Sequence, residues 1–278
     1  MDFKIIKDLK KINPHFKYQI NHEGFCKILD FTNENNILTG SIRHIDGKTK
    51  KEILHIINKF KHLEYLNLSK NLMGNFNLPD LKNLKFLNLS SNNLEFFPNF
   101  IWENKNLHYL NLGANYLEKN LPEKINELEK LETLKLHKNK IKSIKIPNLQ
   151  KLIFLNLYQN KLSDIPSETY TFKNLEFFSF GVSKMKSISN DIENLKKLKY
   201  LSIVLTNLEK IPTNIYLCNS LVGLRLIKNK ICEIPKTILK LKNLEQIFLN
   251  HNKIKNIPKW FSKLKCLKIN TEHNLYFK

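Results

Sequence analysis

One spacing governs this sequence: leucine returns at a nearly fixed interval. Leu63, Leu84, Leu107, Leu131, Leu152, Leu175, Leu198, Leu221, Leu244 and Leu267 are separated by 21, 23, 24 and 21 residues and then by 23 at every later step. The first nine open the pattern LxxLxLxxNxL, as in Leu84-Lys-Phe-Leu87-Asn-Leu89-Ser-Ser-Asn92-Asn-Leu94. A unit this short cannot offset its own ordering entropy, roughly 1–2 kcal/mol per residue for the backbone. Stacked units can, because neighbours share one continuous core, so a period of this length implies a solenoid.

Each part of the pattern has a structural reading. Apolar residues at the fourth and sixth positions alternate with other types, which is strand periodicity. Positions 4 and 6 are expected to point inward, and 3, 5 and 7 outward. The asparagine at position 9 follows the strand, where an amide that both donates and accepts can satisfy a sharply bending backbone. An apolar–Pro step comes next, as in Phe97-Pro98, Ile165-Pro166 and Ile234-Pro235, followed by apolar residues three apart, such as Ile125 and Leu128 or Ile238 and Leu241. That spacing suits a short helical turn packed on the core. Pro79 and Pro147 lie only five residues before the next leucine, so those two segments are expected to be extended. Strands on one side and bulkier turns on the other are expected to curve the stack, with the parallel sheet on the concave face.

Composition narrows the class. Hydrophobic residues make up 42 % of the 278, enough for a sizeable core, and no apolar run approaches the ~18 residues of a membrane span. The net charge is +21, yet only Arg43 and Arg225 among the 46 basic residues are arginine. Arginine, with its planar two-point fork, is favoured in phosphate and guanine reading, so a lysine excess argues against specific nucleic-acid recognition. Cys26, Cys218, Cys232 and Cys266 are scattered without a CxxC pair, which fits free thiols in a reducing compartment; no metal is expected. Cys218 occupies a core position of its turn. The N-terminal stretch has no secretory pattern, and a cytoplasmic location is expected.

The sequence resembles the leucine-rich repeat family, and its units with IPxxIxxLxxL most resemble the intracellular Ras-suppressor-type and bacterial class. The resemblance implies an α/β horseshoe with a parallel sheet on the concave side and short helices or turns on the convex side. It also implies a protein-binding scaffold with no enzyme activity and no cofactor. Three regions follow: 1–62 as an N-terminal cap containing a degenerate first repeat near Cys26–Phe31 and a helix near Lys50–Phe60, 63–266 as nine repeats, and 267–278 as a C-terminal cap. After Leu267 the pattern dissolves, because Asn270 and Glu272 fall where apolar residues belong.

Catalytic patterns are missing: the seven glycines form no phosphate loop, and there is no GxSxG or HExxH. His108 and His137 fall on outward positions of adjacent units, with Tyr158 following, as a weak ligand site. The outward positions say more. Position 3 reads Tyr65, Phe86, Tyr109, Thr133, Phe154, Phe177, Tyr200, Gly223 and Gln246, an aromatic row that serves either binding or mutual ring packing. At positions 7 and 8, units five to eight carry Tyr158, Val182, Val204, Leu205 and Ile227, which have no core to enter. With Phe154, Phe177, Tyr200 and Phe248 they predict an apolar patch, and such patches mark interfaces. Ser183 and Thr206 replace the asparagine beside that patch, through repeat drift or through function, and a locally reshaped loop is expected there. Position 10 supplies a rim of Lys140, Lys161, Lys184, Lys230 and Lys253, suited to steering an acidic partner.

The expected function is therefore a non-enzymatic scaffold for protein–protein interaction, holding a partner with an acidic surface on the concave face. The alternative is electrostatic binding to an anionic polymer or membrane surface, aided by an N-terminal helix with Phe3, Ile6 and Leu9 on one face.

Overall fold

A computed structural model of the protein describes residues 2–12, 16–31 and 47–275. The chain forms two compact units, Met1–Lys140 and Ile141–Lys278.

The first unit opens with helix α1 (Phe3–Ile12), which buries Ile6 and Leu9 and leaves Phe3 exposed. Two of the three residues that would anchor a membrane-bound helix are thus already used inside the protein, while Phe3 stays exposed. Strands β1 (Lys17–Ile20) and β2 (Cys26–Asp30) form an antiparallel pair, and the buried Asp2 carboxylate accepts the Cys26 amide at 2.7 Å. Helix α2 (Gly47–Ile57) buries Ile53, Ile56 and Ile57. The repeat strands β3 (Tyr65–Asn67), β4 (Phe86–Asn88), β5 (Tyr109–Asn111) and β6 (Thr133–Lys135) follow in parallel, with β2 pairing in parallel onto β3. The degenerate segment at Cys26 is therefore in register with the repeats: Leu29 stands beside Leu66, and both are buried. The sequence between 31 and 47 lies outside the described residues.

The second unit contains β7 (Phe154–Asn156), β8 (Phe177–Gly181), β9 (Tyr200–Val204), β10 (Gly223–Arg225), β11 (Gln246–Phe248) and β12 (Lys268–Asn270), parallel and in chain order. Inward leucines and isoleucines at positions 4 and 6 of the nine repeats are buried, whereas Ile269 in the last strand is 44 % exposed.

The turns opposite the strands are five-residue 3₁₀ turns such as Glu123–Glu127, Thr213–Leu217 and Lys236–Lys240, each opening just after its proline. Proline fixes φ near the value such a turn needs, and its carbonyl accepts the N–H three residues on, as in Ile215 to Pro212 at 3.1 Å. Ser189 takes the proline's place in one unit and accepts the Asp191 amide with its own hydroxyl. The segments at Pro79 and Pro147 form no such turn. Five residues leave no room for one.

The ninth-position asparagines hold neighbouring turns together. Asn115 donates to the carbonyls of Leu89 and Leu112 at 3.0 Å and accepts the amides of Asn92 and Leu94 at 2.9 and 3.0 Å. Asn92, Asn139, Asn229 and Asn252 repeat the arrangement, each reaching back one unit. The last turn corrects the leucine count. Gln246 pairs with Lys268 and Ile247 with Ile269, so the unit starts at Cys266, one residue before Leu267, which is 79 % exposed. Asn270 is then an outward residue, and Asn274 continues the asparagine column by donating to Leu249 at 3.0 Å and accepting from Ile254.

Candidate interaction surface

Position 8 adopts a left-handed backbone in every repeat. Its φ lies between 54° and 63° at Lys70, Ser91, Ala114, Lys138, Gln159, Val182, Leu205, Lys228 and His251. This conformation costs a non-glycine residue roughly 1–2 kcal/mol and disfavours branched side chains further. Polar or small residues fill it elsewhere; Val182 and Leu205 fill it in two consecutive units and are 41 % and 40 % exposed.

The same two units depart from the template in a second way. Ser183 and Thr206 stand in the asparagine column, and their short hydroxyls turn to the amides two residues on, Met185 at 3.3 Å and Leu208 at 3.2 Å. The backbones of these units pair directly instead: β8 and β9 run five residues where the other repeat strands run three, adding Phe180–Ile203 and Gly181–Val204 to the ladder. The reshaping expected of the loop appears as this strand extension, while the turn keeps its left-handed residue. Gly181 permits the close approach. With φ of 156°, it lies where an added Cβ would sit 1.9 Å from the Val204 carbonyl oxygen.

Aromatic residues at position 3 form two stacks. In the first unit Tyr65, Phe86 and Tyr109 lie nearly parallel with centroids 4.0 and 4.2 Å apart. In the second, Phe154, Phe177 and Tyr200 stack at 5.7 and 4.9 Å. Each ring is thus partly covered by its neighbour, and Tyr200 remains 37 % exposed. Tyr200 leans over Gly223, where a Cβ would come within 2.6 Å of the ring. Beyond it the row has no aromatic member, and a groove of about 290 Å³ opens. Phe154, Phe177 and Tyr200 line one side, Arg225, Gln246 and Phe248 the other, with Ser179 and Ser202 also in the lining.

The anticipated patch therefore divides. Phe154, Phe177, Tyr200 and Phe248 line the groove; Tyr158, Val182, Val204, Leu205 and Ile227 lie at the strand ends outside its lining, and none of them is buried. Lys161, Lys184, Lys230 and Lys253 are exposed in the same unit, with Asn207 interrupting their row. Lys140 belongs to the first unit, its ammonium 5.6 Å from the Tyr116 ring centroid. His108 turns its Nδ1 to the Asn106 carbonyl at 2.8 Å. His137 packs its ring over Gly113, and burial together with Lys138 and Lys135 holds its pKa below the ordinary value. Neither arrangement presents a reactive pair.

Sequence reasoning missed Arg225, Gln246 and the small residues of the groove. A signal existed for Arg225, one of two arginines in the chain. It also missed a second asparagine role. At position 5, Asn67, Asn88, Asn111 and Asn156 accept the amide two residues on, at 2.9 to 3.1 Å, closing each strand.

The chain carries leucine-rich repeats, and its fold class is the α/β repeat solenoid. Leucine-rich-repeat family profiles match residues 83–104 and 219–275, the latter including the last turn. A leucine-rich-repeat protein of Leptospira interrogans is similar at 29 % identity and a TM-score of 0.70, over 80 % of this chain and 58 % of its own. The Arabidopsis receptor kinase HAESA, solved in complex with a peptide hormone and a co-receptor, is similar in fold at 21 % identity and a TM-score of 0.73, over 92 % of this chain and 44 % of its own. An internalin of Listeria monocytogenes is similar in fold at 18 % identity and a TM-score of 0.67, over 96 % of this chain and 69 % of its own. This chain thus spans little more than half of the Leptospira protein. No functionally curated protein matches the sequence. Among the described residues no helix is long and apolar enough to cross a membrane.

Proposed function

We propose that the protein is a non-enzymatic scaffold that binds another protein on the outward sheet face of its second unit, at repeats five to eight and the adjoining Phe248. The observation carrying this reading is the pair Val182 and Leu205. These exposed aliphatic side chains occupy left-handed positions that a polar residue or glycine would fill at lower cost. Strain and exposed apolar area are both unfavourable to an unbound protein, and a partner that buries the side chains offsets both. Tyr200 and Phe177 would act as aromatic anchors. The exposed lysines and the net charge of +21 favour a partner with an acidic surface and speed its approach. HAESA, similar in fold, was solved in complex with a peptide hormone and a co-receptor, which supports a ligand of that class here. Four free thiols, two of them buried, support a cytoplasmic setting.

The test is capture of partners from lysate by the full chain and by the double variant Tyr200→Asp, Leu205→Asp, read by mass spectrometry. Proteins retained by the native chain should be lost from the variant by about tenfold or more, with circular dichroism unchanged. Undiminished capture would place the binding surface elsewhere.

A further inference from the structure

Arg225 stands alone in its groove. Among the described residues none hydrogen-bonds to or pairs with its guanidinium, and none of the residues lining the groove is acidic. Tyr200, Phe177 and Phe248 make the walls apolar. Arg225 is exposed beside these apolar walls, so its guanidinium is open to an anion arriving from solvent. Two features make that anion a carboxylate on a polypeptide. The guanidinium presents a planar fork that matches both oxygens of a carboxylate, and it is less strongly hydrated than the ammonium this chain uses almost everywhere else. The second feature is spacing. Gly223 pairs with Tyr200 across the ladder, and Arg225 lies two residues further along the same face. With strands ~4.8 Å apart and a rise of ~3.3 Å per residue, the Tyr200 and Arg225 Cα atoms are about 8 Å apart, close to the ~7 Å between same-face side chains of an extended chain.

We propose that this groove takes an extended segment of the partner in which an Asp or Glu side chain lies two residues from an apolar one. The carboxylate pairs with Arg225, and the apolar side chain packs against Tyr200 and Phe177. This rests on the sheet-face reading above and gives the partner segment its chemistry. Gly223 is the specificity element, since any side chain there would occupy the floor between the two subsites.

The experiment selects a random-peptide library displayed on phage against the full chain. Selected sequences are then synthesised with amidated C-termini, and their affinities measured for the native protein, Arg225→Gln, Arg225→Lys and Tyr200→Asp. Enrichment of Asp or Glu two residues from an apolar residue is expected, with affinity falling about tenfold or more in Arg225→Gln and only partly restored in Arg225→Lys. Substituting the peptide's acid by its amide should cost the native protein as much and the Arg225→Gln variant nothing. Peptides that lose binding in Tyr200→Asp yet bind Arg225→Gln unchanged would overturn the carboxylate assignment and leave the sheet-face reading standing. Binding that survives Tyr200→Asp would overturn both. Dependence on a free C-terminus instead of the acidic side chain would also overturn the assignment.

Discussion

Asn115 shows how much one side chain holds. Its amide satisfies two carbonyls and two amides, and the amides belong to the preceding turn. Asn115→Ala leaves those buried groups without partners and should lower stability by about 3 kcal/mol, measured as a shift in the urea midpoint. Ser183→Ala, which removes one 3.3 Å bond to Met185, should cost far less. Val182→Asn should act in the opposite direction. Asparagine tolerates the left-handed backbone, so the variant should gain about 1 kcal/mol while losing affinity for the partner. Cys26 and Cys218 are buried with their thiols pushed up to about 12, whereas Cys232 is exposed. A thiol reagent at neutral pH should therefore modify Cys232 in the native protein and reach Cys26 and Cys218 only after unfolding. The asparagine column was visible in the sequence because it recurs at one position. The left-handed residue before it was not, since Lys70, Ala114, Gln159 and Val182 share no chemistry; the turn dictates that conformation whatever side chain it receives.

At the level of the element, strand length and register carry the differences between repeats. β8 and β9 extend because hydroxyls replaced the reaching amides, and the extension depends on Gly181. Gly181→Ala would drive a methyl into the Val204 carbonyl and should cost about 2 kcal/mol, with loss of the two added ladder pairs by hydrogen exchange. In the first unit Glu64 lies between Lys27 at 2.7 Å and Lys85 at 2.6 Å, joining three neighbouring strand segments. Hydrogen bonds from these lysines hold its carboxyl below the ordinary 4.5. A carboxylate depressed in the folded state contributes stability above its unfolded pKa and loses it as pH falls through the folded value. Glu64→Gln should therefore lower the urea midpoint at pH 7 and leave it unchanged well below the carboxylate range. The strands and their order were legible in the leucine spacing. The register of β12 was not, because Leu267 is the stronger leucine signal and backbone pairing with Gln246 and Ile247 overrode it.

For the molecule as a whole, sequence periodicity settled the architecture, while the surface emerged only with coordinates. Groove residues Phe154, Phe177, Tyr200 and Phe248 were legible as apolar side chains on outward positions. Arg225 stood out only as one of two arginines, and its place beside an apolar groove was not legible because no repeat position marks it. The net charge of +21 belongs to this scale too. If it steers encounter, the association rate should fall steeply with added salt while the dissociation rate changes little, as read by surface plasmon resonance. The most direct test of the sheet-face surface is methyl-labelled NMR of the full chain titrated with a partner protein captured by it. The account predicts that the methyl signals of Val182, Val204, Leu205 and Ile227 move together while those of Ile215 and Ile238, in the 3₁₀ turns, stay in place. Movement confined to the turns, or to the first unit, would contradict it.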